Sequence, residues 1–118
     1  MIVDDDPSFS TTLKNVLSKS GYIVAIANTG EAAISMVQEE TFDVILIDLK
    51  LPTINGLETY LAIKKINPEV VAIMITGYRQ EMADLVQEAI NNSAYTCLYK
   101  PLEIELLLNL INKILEKK

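Results

Sequence analysis

Five short runs of apolar, largely β-branched residues punctuate this chain, and stretches with helical spacing separate them and follow the last. The runs cover residues 1–3, 22–27, 44–47, 70–75 and 94–99. They are solidly apolar rather than alternating, which is the pattern of parallel strands covered on both faces. Parallel strands need crossover connections, and the intervening segments supply them. Phe9, Leu13, Val16 and Leu17 share one helical face, as do Met82, Leu85, Val86, Ala89 and Ile90. Ile104, Leu107, Leu108, Ile111 and Leu115 form a third stripe, with weaker ones around Ala33, Met36, Val37 and around Leu57, Leu61. Asp6 before Pro7 reads as an N-cap with proline at the first helical position, Gly21 as the end of the first helix, and Pro68 as the stop of the third. The pattern predicts an α/β fold: a (βα)5 doubly wound parallel five-stranded sheet with helices on both sides.

At 118 residues the chain has the size of a single domain, expected to span residues 1–118. Half the residues are apolar, and 22% are charged, a globular balance. No apolar run approaches the ~20 residues that span a bilayer, and no basic segment leads into a long apolar one at the start. A lone cysteine, Cys97, excludes an intrachain disulfide and fits a reducing compartment, so a cytoplasmic location is expected. The first run is shorter than its neighbours, which leaves room for leading residues before Met1. Lys118 reads equally as a true terminus or a cut edge.

The net charge of −6 argues against direct nucleic-acid or anionic-membrane binding, since both need a basic face. Histidine is absent, which removes imidazole metal ligands, histidine acid–base catalysis, and Ser-His or Cys-His nucleophiles together. Chemistry must fall to carboxylates, hydroxyls, lysine, backbone and a hard metal.

In a parallel sheet every strand C-terminus lies on one edge, where ligands bind. The first run here ends in Asp4-Asp5, the third in Asp48, the fourth in Thr76 and the fifth in Lys100-Pro101. Taken singly, each has an ordinary reading: helix caps or turn formers for the aspartates, a strand-end hydroxyl for Thr76, a solvated charge for Lys100. Asp6 already serves as the cap, however, which leaves Asp4 and Asp5 without a structural task. Clustered carboxylates repel, and a hard dication such as Mg²⁺, with Mn²⁺ as the alternative, relieves the repulsion. A metal-held aspartate is a competent nucleophile toward phosphorus.

These residues resemble the receiver domain of response regulators in two-component signalling. The likeness runs through Ile2-Val3-Asp4-Asp5-Asp6, Ile45-Leu46-Ile47-Asp48-Leu49-Lys50-Leu51-Pro52 with Gly56, Ile73-Met74-Ile75-Thr76-Gly77, and Leu98-Tyr99-Lys100-Pro101. The resemblance implies a flavodoxin-like strand order, 2-1-3-4-5, and phosphorylation of Asp48 by a sensor histidine kinase in a phosphorelay. It implies Mg²⁺ bound directly by Asp5 and Asp48, by Asp4 through water, and by the main-chain carbonyl of Lys50. Thr76 would hydrogen-bond the phosphoryl group, Lys100 would pair with it, Lys100–Pro101 would be cis, and Gly77 would leave the phosphoryl path open. The protein would then be a phosphoacceptor switch rather than an enzyme.

The sequence departs from the family pattern at Cys97, three before the lysine, where an aromatic switch residue is usual. Tyr95 and Tyr99 flank it at period two, so either a smaller side chain carries the switch, a tyrosine takes part of the readout, or Cys97 is simply a small apolar filler. Two bulky residues, Lys50 and Tyr78, stand where they would crowd a hydrolytic water, and slow intrinsic dephosphorylation is expected. The enzymatic rival is a haloacid-dehalogenase-like phosphatase using Asp4 and Asp6; it would carry phosphate on Asp4 instead of Asp48. A phosphorylation-independent interaction module is the second rival. A nucleotide or flavin protein fits less well, because no Gly-rich loop follows the first strand. The expected partner surface for a downstream protein, an output domain or a homodimer is the last helix–strand–helix face, residues 79–117.

Overall fold

The computed structural model describes residues 1–77 and 80–117. Its elements alternate: β1 (Ile2–Val3), α1 (Pro7–Lys19), β2 (Ile26–Ala27), α2 (Gly30–Glu39), β3 (Val44–Asp48), α3 (Gly56–Ile66), β4 (Val71–Thr76), α4 (Ala83–Asn91), β5 (Thr96–Tyr99) and α5 (Ile104–Glu116). All neighbouring strands pair in parallel, in the order β2-β1-β3-β4-β5. This is the flavodoxin-like doubly wound sheet that the sequence pattern and the resemblance imply.

Two apolar layers sandwich the sheet. On one side Leu13 and Leu17 of α1 and Leu107, Ile111 and Ile114 of α5 pack on Ile2, Leu46, Ile73 and Ile75. On the other, α2, α3 and α4 bring Ala33, Val37, Tyr60, Ile63 and Ala89 onto Val3, Ile45, Ile47 and Met74. Alternate strand residues serve opposite layers, so each central strand must be apolar throughout. The buried stripe of α5 differs slightly from the expected one: Ile114 is inside, whereas Ile104 stands 36% exposed where the helix begins.

The helix ends follow their local chemistry. Asp6 caps α1, its Oδ1 accepting from the Ser8 and Phe9 amides at 3.0 and 3.3 Å. At the other end Gly21, at φ 95°, lets its own amide reach the Ser18 carbonyl and the Tyr22 amide the Leu17 carbonyl, a Schellman closure. Asn55 and Glu58 form a reciprocal capping box at the start of α3.

β2 is shorter than its apolar run. Its ladder is confined to Ile26 and Ala27 because β1 offers only Ile2 and Val3 as partners. The rest of the run lies along the sheet edge, where Ile23 is fully exposed at 102%.

Candidate functional site

The strand ends deliver their polar residues to one crevice. β1 passes directly into Asp4, buried at 1% exposure, and then into the exposed Asp5. Asp48 is the last residue of β3 and Thr76 the last of β4, and both are buried. Carboxylate oxygens of Asp4, Asp5 and Asp48 lie within 4.8 Å of one another. That is an all-oxygen donor set, which suits a hard cation and fits Mg²⁺.

Lys100 completes the cluster. Its Nζ lies 3.0 Å from Asp4 Oδ2 and 3.1 Å from Asp48 Oδ2, donating to both. Its backbone amide donates to the Thr76 carbonyl at 2.9 Å, which ties the end of β5 to the end of β4. The peptide bond to Pro101 is cis. Local bonds fix the acids as well: the Asp6 amide donates to Asp4 Oδ1 at 2.9 Å and the Lys50 amide to Asp48 Oδ1 at 3.0 Å. Each of these two carboxylates therefore has one oxygen held by main chain and the other by Lys100.

The electrostatics record crowding. Desolvation by burial pushes the Asp48 pKa up, and the neighbouring Asp4 charge adds to it, outweighing the Lys50 amide and Lys100 that pull it down. Burial alone would lower the Lys100 pKa, but its hydrogen bonds to Asp4 and Asp48 win, and the result is raised. The ammonium is thus firmly protonated, and the carboxylates favour added positive charge.

Beside the cluster opens a cleft of about 610 Å³, bordered by Phe9, Asp48, Gly77, Lys100, Pro101 and Leu102. A Cβ added to Gly77 would lie 3.8 and 3.9 Å from the Lys100 stem, an ordinary contact, so a side chain there would occupy the cleft rather than strain the chain. Lys50 is exposed beside Asp48. Tyr78 lies outside the described residues. Cys97 is half-buried and packs on the α2–α4 layer, opposite Met74 of β4, as a small apolar filler would. Asp6 is engaged at the α1 N-terminus and does not join the acid cluster, contrary to the Asp4–Asp6 pairing that a phosphatase would need.

The structure also brings in a residue that sequence reasoning assigned only to the α1 core stripe. The ring of Phe9 lies under Lys100, with Nζ 4.3 Å from its centroid. Nothing local in the sequence signals this contact, which joins positions far apart in the chain.

Residues 1–112 match the family model of the response regulator receiver domain, and the chain belongs to that family. It is similar to the transcriptional regulatory protein ZraR of Klebsiella oxytoca, 37% identical over 105 residues that cover 89% of this chain and 23% of that protein. ZraR of Escherichia coli (strain K12) is 35% identical over 115 residues, or 98% of this chain and 26% of the relative. The chain therefore spans about a quarter of the length of these regulators. The sporulation initiation phosphotransferase F of Bacillus subtilis (strain 168) is 31% identical over 118 residues, covering 100% of this chain and 94% of that protein.

Among solved structures, a CheY-like response regulator receiver domain protein from Methanospirillum hungatei JF-1 superposes with a TM-score of 0.86 at 32% identity, covering 98% of this chain and 91% of that one. Receiver domains are phosphoacceptor switches of two-component signalling rather than conventional enzymes, and they generally bind Mg²⁺ through their acidic pocket. Response regulators act with sensor histidine kinases and downstream output domains. Among the described residues no helix is long and apolar enough to cross a membrane.

Proposed function

We propose that the chain is a single receiver domain across residues 1–118 that accepts a phosphoryl group on Asp48 from a sensor histidine kinase in the cytoplasm. The observation that carries this is the convergence of three carboxylates from two strand ends with the Lys100 ammonium. Asp5 and Asp48 would hold Mg²⁺ directly, Asp4 through water, and Lys50 through its main-chain carbonyl; Mn²⁺ is the alternative ion. The bound dication would neutralise charge on the phosphoryl oxygens. Asp48 supplies the attacking carboxylate oxygen: an O–P bond forms, the N–P bond of the donor phosphohistidine breaks, and its electron pair returns to the imidazole.

Lys100 then exchanges a carboxylate partner for the phosphoryl group, and Thr76, at the end of the adjoining strand, hydrogen-bonds it. Hydrogen bonds to charged groups contribute about 1.5–3 kcal/mol each. Because Lys100 already donates to Asp4 and Asp48, its share is the difference between a carboxylate and a phosphoryl partner. The two contacts together therefore supply only part of the ~5.5 kcal/mol that carries an equilibrium from 1:99 to 99:1. The readout face is α4-β5-α5, whose exposed Ile90, Tyr95, Ile104 and Leu106 would meet a downstream protein, an output domain or a second copy. The acidic charge leaves this chain without a nucleic-acid surface of its own. Autodephosphorylation is slow, with Lys50 and Tyr78 setting its rate and Gly77 keeping the path open.

Intact-mass measurement after incubation with acetyl phosphate and Mg²⁺ tests the reading. The expected result is one phosphoryl adduct on the wild type, none on Asp48→Asn and none with EDTA. An adduct that persists on Asp48→Asn would move the acceptor to another residue, with Asp4 first to be examined.

A further inference from the structure

Lys100 has three anchors: Asp4 Oδ2, Asp48 Oδ2 and the face of the Phe9 ring, 4.3 Å from Nζ to centroid. Two of them change during the proposed reaction, because Asp4 and Asp48 are drawn toward a metal and Asp48 becomes an acyl phosphate. The ring carries no charge, ligates no hard metal and keeps its negative face throughout.

Its own anchoring does not pass through Lys100. The Phe9 amide donates to the Asp6 cap, and the ring packs against the α1–α5 apolar layer. The half-buried Lys100 side chain, by contrast, has a flexible four-carbon reach and is 27% accessible. We propose that Phe9 is the positioning residue for Lys100: its ring face holds the ammonium over the acceptor while its carboxylate partners are exchanged. This rests on the Asp48 acceptor reading above.

The experiment compares wild type, Phe9→Leu and Phe9→Tyr for the rate of phosphorylation by acetyl phosphate at saturating Mg²⁺. Leucine keeps apolar packing but has no ring face, and tyrosine keeps the ring. The expected result is a loss of about threefold to tenfold in Phe9→Leu and return to within about twofold of wild type in Phe9→Tyr. The methylene protons next to Lys100 Nζ, followed by NMR without any phosphodonor, should lie upfield in wild type and Phe9→Tyr through the ring current, and lose that shift in Phe9→Leu. A wild-type rate in Phe9→Leu overturns the proposal, as does a Phe9→Tyr rate as low as that of Phe9→Leu. If the wild type takes up no phosphoryl group, the acceptor reading fails separately. The NMR shift then still decides on Phe9, its absence from the wild type overturning the placement.

Discussion

Cys97 stands in the last strand at the position where the receiver resemblance leads one to expect an aromatic switch residue, and burial damps its reactivity. Burial pushes its thiol up to about 11 from an ordinary value of 9.0. The nucleophilic thiolate is therefore scarce at neutral pH. Alkylation by iodoacetamide should rise with a midpoint near pH 11, and a midpoint near 9 would show a more open environment. The same burial links to stability. A thiol whose pKa is higher in the folded state favours folding fully below pH 9.0, and that contribution is lost as pH rises through about 11. The stability difference between wild type and Cys97→Ala should accordingly be flat below pH 9.0 and fall between there and 11. The acids and Lys100 were legible in the sequence because each ends an apolar run, and parallel strands put all such ends on one edge. Phe9 was not. Its relation to Lys100 spans 91 positions and depends on how α1 lies against the last strand, which no local pattern encodes.

At the scale of elements, the junction of β3 and α3 shows how closely backbone approaches backbone at the site. The Gly56 amide donates to the Leu49 carbonyl at 2.9 Å, and a Cβ on Gly56 would come within 2.3 Å of the Asp48 carbonyl oxygen. The clash is with main chain, which cannot rotate aside. Gly56→Ala should cost about 1–3 kcal/mol in urea unfolding and displace Asp48 enough to slow phosphorylation. A variant as stable as wild type would mean that the loop yields freely. Helix boundaries were readable here because they rest on local bonds: Asp6 with Pro7, Gly21, and the halt before Pro68. The extent of β2 was not, since an apolar edge run pairs only as far as its neighbour reaches, and β1 reaches two residues.

Taken as a whole, the molecule places a mutually repelling acid cluster at the rim of a sheet whose two faces are covered by largely apolar layers. Binding of a dication to the native state alone must then stabilise the fold by mass action. At Mg²⁺ ten times its Kd the gain is about 1.4 kcal/mol, visible as a higher Tm. Asp5→Ala should remove most of that rise while leaving the metal-free Tm within a few degrees, since Asp5 is exposed. An unchanged magnesium response would take Asp5 out of the ligand set.

The Lys100 bridge has one more consequence, for the order of events. Three carboxylates against one ammonium leave the crevice with a formal charge of −2. A phosphodonor is itself an anion, so on the proposed function the crevice should turn it away until that deficit is filled. The built-in lysine halves neither the repulsion nor the need for a dication; it keeps the acids gathered and ready for one. Cation uptake should therefore come before donor binding, making the metal an entry condition for the signal as well as a participant in the chemistry.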